Sequence, residues 1–248
     1  MRTAPVGGRT AVVLVAHGSR DPRAAEATTA LADAVGRAYP EWEVHPSYLD
    51  HAGPRPLDVL AGCVFRGHSG AVLVPLLLTA AYHGRVDVPA VVTAAGEAGL
   101  PISIDVTDVL GPASDLLVEA LIRRLRSEDL DAVVLAAAGT RDAAARGTVD
   151  GVAAALGRRL GMPCAAGYAS ATAPTPGEAV RALRAAGASR VGMAAYFLAP
   201  GLLYDVAVES ARAAGAVAVS DPLRDAPELV RLVASRVDAA EPARLRAA

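Results

Sequence analysis

The sequence contains no lysine, and all 24 of its basic residues are arginine. That absence excludes the phosphate-gripping lysine of a P-loop, a Schiff-base enzyme and a pyridoxal enzyme together. Cysteine is nearly as scarce. Cys63 and Cys164 stand alone, with no CxxC pair, so neither a disulfide framework nor a thiolate zinc site is expected, and a reducing cytoplasm is the expected setting. Aromatic residues make up 4% of the chain against 53% hydrophobic, so the core must be assembled from many small Ala, Val and Leu contacts. Long apolar runs are missing too. The longest, residues 71–82, is interrupted by Pro75 and falls short of the roughly 20 residues of a membrane span. The chain reaches the polar His17-Gly18-Ser19-Arg20-Asp21 too early for a secretory signal. A soluble, monomeric protein is expected. The net charge of -2 and pI near 6.2 leave no strongly basic surface for nucleic acid.

What is present is an alternation. Short Val/Leu-rich runs and Ala-rich helical segments follow one another from end to end, the pattern of parallel sheets with helices on both faces. Strands are predicted at 11–16, 43–49, 71–77 and 102–106, with helices at 22–38, 55–66, 84–98 and 113–127. After Ser127-Glu128-Asp129 the cycle restarts, with strands at 132–137, 163–169, 190–197 and 216–219 and helices at 142–160, 176–187, 202–214 and 226–237.

The halves also resemble each other residue by residue, as a duplication would leave them. Val12-Val13-Leu14-Val15-Ala16-His17-Gly18-Ser19-Arg20-Asp21 aligns with Val133-Val134-Leu135-Ala136-Ala137-Ala138-Gly139-Thr140-Arg141-Asp142, and Pro75-Leu76-Leu77-Leu78-Thr79 with Ala195-Tyr196-Phe197-Leu198-Ala199. The expected fold is α/β, with two similar flavodoxin-like domains, each a four-stranded parallel sheet. The first, 1–127, carries the functional histidines, and the second, 128–248, is a degenerate repeat that closes the cleft.

The alignment shows where the halves differ. His17 faces Ala138, and His83 faces Leu203. Both histidines follow a strand, at the carboxyl edge where open α/β sheets bind ligands. In the strand order 2-1-3-4 the first and third strands are neighbours, which would bring His17 and His83 together. Two neutral imidazoles with open coordination positions suit a late first-row divalent metal held loosely enough to be passed on. His51, beyond the second strand, is read as a surface-loop residue. Asp50 beside it either forms the turn or attracts a cation and orients an imidazole. His45 and His68 fall at the opposite edge and are given no role. Gly67-His68-Ser69-Gly70 fails as a nucleophile elbow, since Ala71 stands where the motif needs Gly and a strand follows instead of preceding it. In Ser19-Arg20-Asp21 and Thr140-Arg141-Asp142 the aspartates read as helix caps, with Ser19 and Arg20 near enough to the cleft to touch an anionic substrate.

At these residues the sequence resembles the sirohydrochlorin chelatases, class II chelatases of siroheme and cobalamin synthesis. The matching stretches are Val15-Ala16-His17-Gly18-Ser19-Arg20-Asp21-Pro22, Val74-Pro75-Leu76-Leu77-Leu78-Thr79-Ala80-Ala81-Tyr82-His83, and Tyr48-Leu49-Asp50-His51 with Pro54. The resemblance implies two domains facing across a cleft and ATP-independent insertion of Fe2+, Co2+ or Ni2+ into a tetrapyrrole, the metal being a substrate and no organic cofactor being needed. It maps the metal-handling and catalytic pair onto His17 and His83. It places Gly18, Ser19, Arg20, Asp50, Thr79, Tyr82 and Arg85 around the tetrapyrrole, with the arginines as carboxylate partners. Ala195 departs from the pattern set by Pro75. Two other readings keep a His after the first strand. Histidine phosphatases place an Arg directly before it, where this chain has Ala16, and a carrier of metal or tetrapyrrole would bind without turnover.

A polycarboxylate held only by arginines is held electrostatically. Titrating sirohydrochlorin into the protein at low and at high ionic strength is expected to show weaker binding in high salt; equal affinity would contradict charge-based recognition.

Overall fold

The protein is described here from a computed structural model covering residues 9–79, 82–112, 114–126 and 129–247, with backbone alone at 82–87 and 241–247. Strands and helices alternate as β1 (Thr10–Ala16), α1 (Pro22–Ala38), β2 (Trp42–Tyr48), α2 (Pro56–Phe65), β3 (Gly70–Pro75), α3 (Tyr82–Glu97), β4 (Ser103–Val106) and α4 (Asp115–Leu125). The series then repeats as β5 (Ala132–Ala137), α5 (Ala143–Leu160), β6 (Cys164–Tyr168), α6 (Pro176–Ala185), β7 (Val191–Tyr196), α7 (Leu202–Ala213), β8 (Ala218–Val219) and α8 (Pro227–Ala247).

The strands form two separate four-stranded parallel sheets, ordered β2-β1-β3-β4 and β6-β5-β7-β8. The expected neighbourhood of the first and third strands is therefore present, with Val12 in register with both Val44 and Val72. The central strands are apolar at nearly every position because both of their faces are covered. Val12 to Leu14 of β1 and Ala132 to Ala136 of β5 have no exposed surface. β3 was expected to run to 77 but ends at Pro75. The Leu77 N–H turns back to the Pro75 carbonyl at 2.9 Å, and that bends the chain out of the sheet. α8 continues past its expected end at 237 to Ala247, through an Ala-rich sequence that carries Pro242. Asp21 and Asp142 cap α1 and α5 by accepting hydrogen bonds from first-turn amides, as read from the sequence. The expected boundary between 127 and 128 lies outside the described residues.

The repeat alone did not disclose how the halves share helices. α4, from the first half, packs on β7 of the second, while α8, from the second half, packs on β3 of the first. Leu117, Leu121, Leu229 and Val233 consequently belong to one buried cluster that also holds Leu14, Val72 and Leu135 from the two sheets. Smaller clusters cover the outer faces, beneath α2 and α3 on one side and α6 and α7 on the other. Among the described residues, no helix is long and apolar enough to cross a membrane.

Arginines tie the exchanged helices to their surroundings. Arg236 of α8 donates to the carbonyls of Val109 and Leu110 at 2.9 and 3.2 Å. Arg123 of α4 donates to the buried Glu228 of α8 at 2.7 Å. Glu228 also lies in the first turn of α8, where a carboxylate suits the helix dipole. Removing Arg123 strands that buried charge. Arg123→Ala is expected to lower unfolding free energy by about 1–3 kcal/mol, a loss tempered by the solvent that reaches the arginine. Arg231→Ala, which breaks only an exposed pair with Glu119, should cost about 0–1 kcal/mol. Urea unfolding of both variants measures the difference.

Candidate active site at the carboxyl edges

β1 ends at Ala16, so His17 is the first residue beyond the sheet. Gly18 follows with φ +95°, and a Cβ there would collide with the carbonyl oxygen of Asp50. Glycine is required at 18 on both counts. The close approach exists because the exits of β1 and β2 are joined by backbone hydrogen bonds, Leu49 N–H to Ala16 O at 2.9 Å and Asp50 N–H to His17 O at 2.8 Å. These bonds bring together side chains about thirty residues apart in sequence.

His17 and His51 face each other edge to face, with ring centroids 6.4 Å apart and an interplanar angle of 85°. Both are exposed. His51 sits in the left-handed region at φ 61°. Its Nε2 lies 3.5 Å from Asp50 Oδ2, its own N–H donates to Asp50 Oδ1 at 2.8 Å, and Arg55 stands 3.7 Å from the same carboxylate. The His51 amide foremost, and then the charges of His51, Arg55 and His17 working against desolvation, hold Asp50 below the usual carboxylate range.

The other expected residues divide into groups. Ser19 Oγ accepts from the Asp21 N–H at 3.1 Å, which occupies it in the turn, and Arg20 is exposed. Thr79 is half-buried and lines a cavity of about 590 Å³ together with Leu76, Leu78, Ala138, Thr140 and Tyr196. This cavity opens where β5 and β7 end, opposite the exit of β3. The Tyr196 hydroxyl closes one wall by donating to the Leu78 carbonyl across the halves at 2.9 Å, and burial pushes its phenol pKa up. The side chains of Tyr82, His83 and Arg85 lie outside the described residues. Their backbone forms the first turn of α3, which follows β3, the neighbour of β1. Among the described residues no three His, Cys, Asp or Glu side chains form a ready-made metal cage.

The second half repeats the backbone of this site without its chemistry. Gly139 has φ +96°, and a Cβ there would meet the Ser170 carbonyl as Gly18 meets Asp50. Ala169 N–H bonds Ala137 O at 2.9 Å, and Ser170 N–H bonds Ala138 O at 3.0 Å. Ala171 takes φ 66°. The His17, Asp50 and His51 positions are thus occupied by Ala138, Ser170 and Ala171. His51 lies in the loop between β2 and α2, as the sequence predicts. The overlooked signal was the His-to-Ala difference at this turn of the repeat.

His45 and His68 are remote from this edge. Each hydrogen-bonds Glu43, at 2.9 and 2.7 Å, and Arg66 pairs with the same carboxylate at 2.5 Å.

Comparison with known proteins agrees with this architecture. Solved structures share the fold. SirB from Bacillus subtilis with Fe3+ superposes with a TM-score of 0.75 at 23% identity, covering 93% of this chain and 94% of that one. SirB from Bacillus subtilis subspecies spizizenii in complex with cobalt, a sirohydrochlorin chelatase, gives 0.77 at 23% identity over 94% and 96%. A family model, CbiX, matches residues 11–128 and again 132–240, and the chain belongs to that family. A sirohydrochlorin cobaltochelatase of Priestia megaterium is 25% identical over 205 residues, 77% of this chain, and the match spans 65% of that relative's length.

The Glu43 cluster generates a pH test. Burial opposes the Glu43 charge, but hydrogen bonds from His68 and His45 and the nearby Arg66 guanidinium outweigh it and bring the carboxyl down to about 2. A lowered folded-state pKa stabilises the protein above the unfolded value, near 4.5, and that contribution fades as pH falls towards 2. The melting-temperature gap between the parent and Glu43→Gln should be widest near neutrality and shrink on acidification through this window. A constant gap would contradict the assignment.

Proposed function

We propose that this chain is a sirohydrochlorin chelatase, inserting Fe2+, Co2+ or Ni2+ into the macrocycle for siroheme or cobalamin synthesis without ATP. The observation that carries the reading is the asymmetry of the repeat. One carboxyl edge presents His17 beside Asp50, while the same backbone in the other half presents Ala138 beside Ser170. Family membership and the names of the similar proteins, a cobaltochelatase and a chelatase solved with cobalt, support the same chemistry.

Insertion exchanges two pyrrole N–H protons for one divalent ion, while the ion sheds water. Imidazoles at the sheet edge can take those protons and ligate the ion in turn. His17 and His83 are assigned these roles. Gly18 and Ser19 shape the turn against the substrate, and Asp50 adds negative charge where the cation arrives. Thr79 and Tyr82 border the macrocycle, and Arg20 and Arg85 meet its carboxylates. In this reading residues 1–127 form the domain that carries the chemistry and 128–248 the domain that closes the cleft.

The test follows metallation by the visible spectrum, above the spontaneous rate, because free metal enters such macrocycles unaided. His17→Ala and His83→Ala are each expected to slow insertion by roughly 10²–10⁴-fold with folding intact. Ala138→Ser and Leu203→Met should leave the rate near the parent's. A double histidine variant that metallates sirohydrochlorin at the parent rate would overturn the reading, and stoichiometric binding without turnover would make the protein a carrier.

A further inference from the structure

We propose that His51 is a further metal-binding residue of this site, sharing the divalent ion with His17 while Asp50 holds its ring. The proposal rests on the chelatase reading for the purpose of the site and on the following geometry for the residue.

The first support is distance. Imidazoles sharing one ion, each at a metal–nitrogen distance of about 2.0–2.1 Å, have ring centres up to roughly 6.5 Å apart. The rings of His17 and His51 lie 6.4 Å apart, and both are exposed. Only a small closure is needed to bring the ligand nitrogens to angles below linear. The second support is the carboxylate. A ligating histidine commonly directs its other ring nitrogen to a carboxylate that fixes ring orientation and raises basicity. His51 Nε2 is 3.5 Å from Asp50 Oδ2, which leaves Nδ1 for the ion. Arg55, 3.7 Å from Asp50 and also donating to the Leu49 carbonyl, steadies that carboxylate.

The third support comes from within the chain. Histidine is among the side chains enriched in the left-handed region, so its presence at φ 61° has a backbone explanation. The second half removes it. Ala171 occupies the equivalent position at φ 66°, with the same hydrogen bonds on either side of the turn. The turn therefore forms without an imidazole. His51 differs from its counterpart in the same direction as His17 and Asp50 do, from a group that can ligate or orient to one that cannot. With His17, His83 and His51 all counted, about half of an octahedral coordination shell is left to water and incoming pyrrole nitrogens, as an ion in transit requires.

The experiment titrates CoCl2 into the full chain in the absence of tetrapyrrole. Affinity is read from the visible bands of the bound ion, and ligand identity from the paramagnetically shifted imidazole proton resonances. His51→Asn accepts the same positive φ and is expected to weaken Co2+ binding by roughly 10–100-fold and to delete one shifted imidazole. His51→Gly, which fits the turn without strain, should behave alike if Asn disturbs folding. Asp50→Asn should weaken binding less and leave that resonance in place. If His51→Asn binds Co2+ as tightly as the parent with every shifted resonance retained, or if the parent binds no Co2+, the assignment is overturned. If the parent binds Co2+ through His51 yet never metallates sirohydrochlorin, the chelatase reading falls and the ligand assignment stands.

Discussion

A parallel sheet whose central strands are apolar on both faces has to be covered on both faces, because exposed Val and Leu at these positions would each cost about 1.5–3 kcal/mol. In this protein one cover of each sheet comes from the other half. α4 lies on β7 and α8 on β3, and the apolar faces of both join a single cluster between the sheets. Neither sheet keeps its complete cover if the halves are pulled apart. The small side chains suit this arrangement, since Ala120, Ala153, Ala194 and Ala234 in the shared cluster let helices approach closely where rings would hold them off.

The site inherits its geometry from that packing. With the sheets held by exchanged helices, the ends of β3, β5 and β7 surround one cavity, and Tyr196 reaches Leu78 across it. Arg23 adds a further tie by pairing with both Asp21 and Asp205, on α7 of the second half, at 2.5 and 2.6 Å. Its partner Asp21 follows His17 closely in the chain and donates its N–H to Ser19 Oγ at 3.1 Å. The loop that presents the first imidazole is thereby anchored to the opposite wall. An exposed pair of this kind adds little to stability.

Most of the architecture was legible in the sequence because its signals are local. Val12 to Val15 and Val133 to Ala137 are apolar runs too short for helices, and Asp21 before Pro22 marks a helix start in the residues themselves. The order 2-1-3-4 followed from the fold class, and the duplication exposed the contrast of His17 with Ala138. The helix exchange was not legible. Leu117, Leu121, Leu229 and Val233 show that α4 and α8 are amphipathic, yet the same spacing serves a helix packed on its own sheet or on its neighbour's. The pairing of His17 with His51 was hidden for a related reason, since it depends on backbone bonds between two strand exits, Leu49 to Ala16 and Asp50 to His17, that no side-chain pattern encodes.

The loss of chemistry from the second half follows from what the proposed reaction asks of a metal site. An ion that must be handed on has to be held by few ligands, because each added imidazole deepens the well from which the macrocycle must draw it. A cleft lined on both edges by His-Asp-His would offer the ion competing sites on opposite walls, and metal resting on the wrong wall would be withdrawn from the reaction. Ala138, Ser170 and Ala171 keep the turn and its hydrogen bonds without a group that ligates as an imidazole does, and the cavity that Ala138 borders is lined largely by Leu, Ala and aromatic carbon. Such a wall is suited to the apolar face of a planar ring. In the proposed reaction the duplicated backbone would serve two different purposes, delivery of the ion on one edge and support of the macrocycle on the other, with the difference resting on a few side chains: His17, Asp50, His51 and His83 against Ala138, Ser170, Ala171 and Leu203.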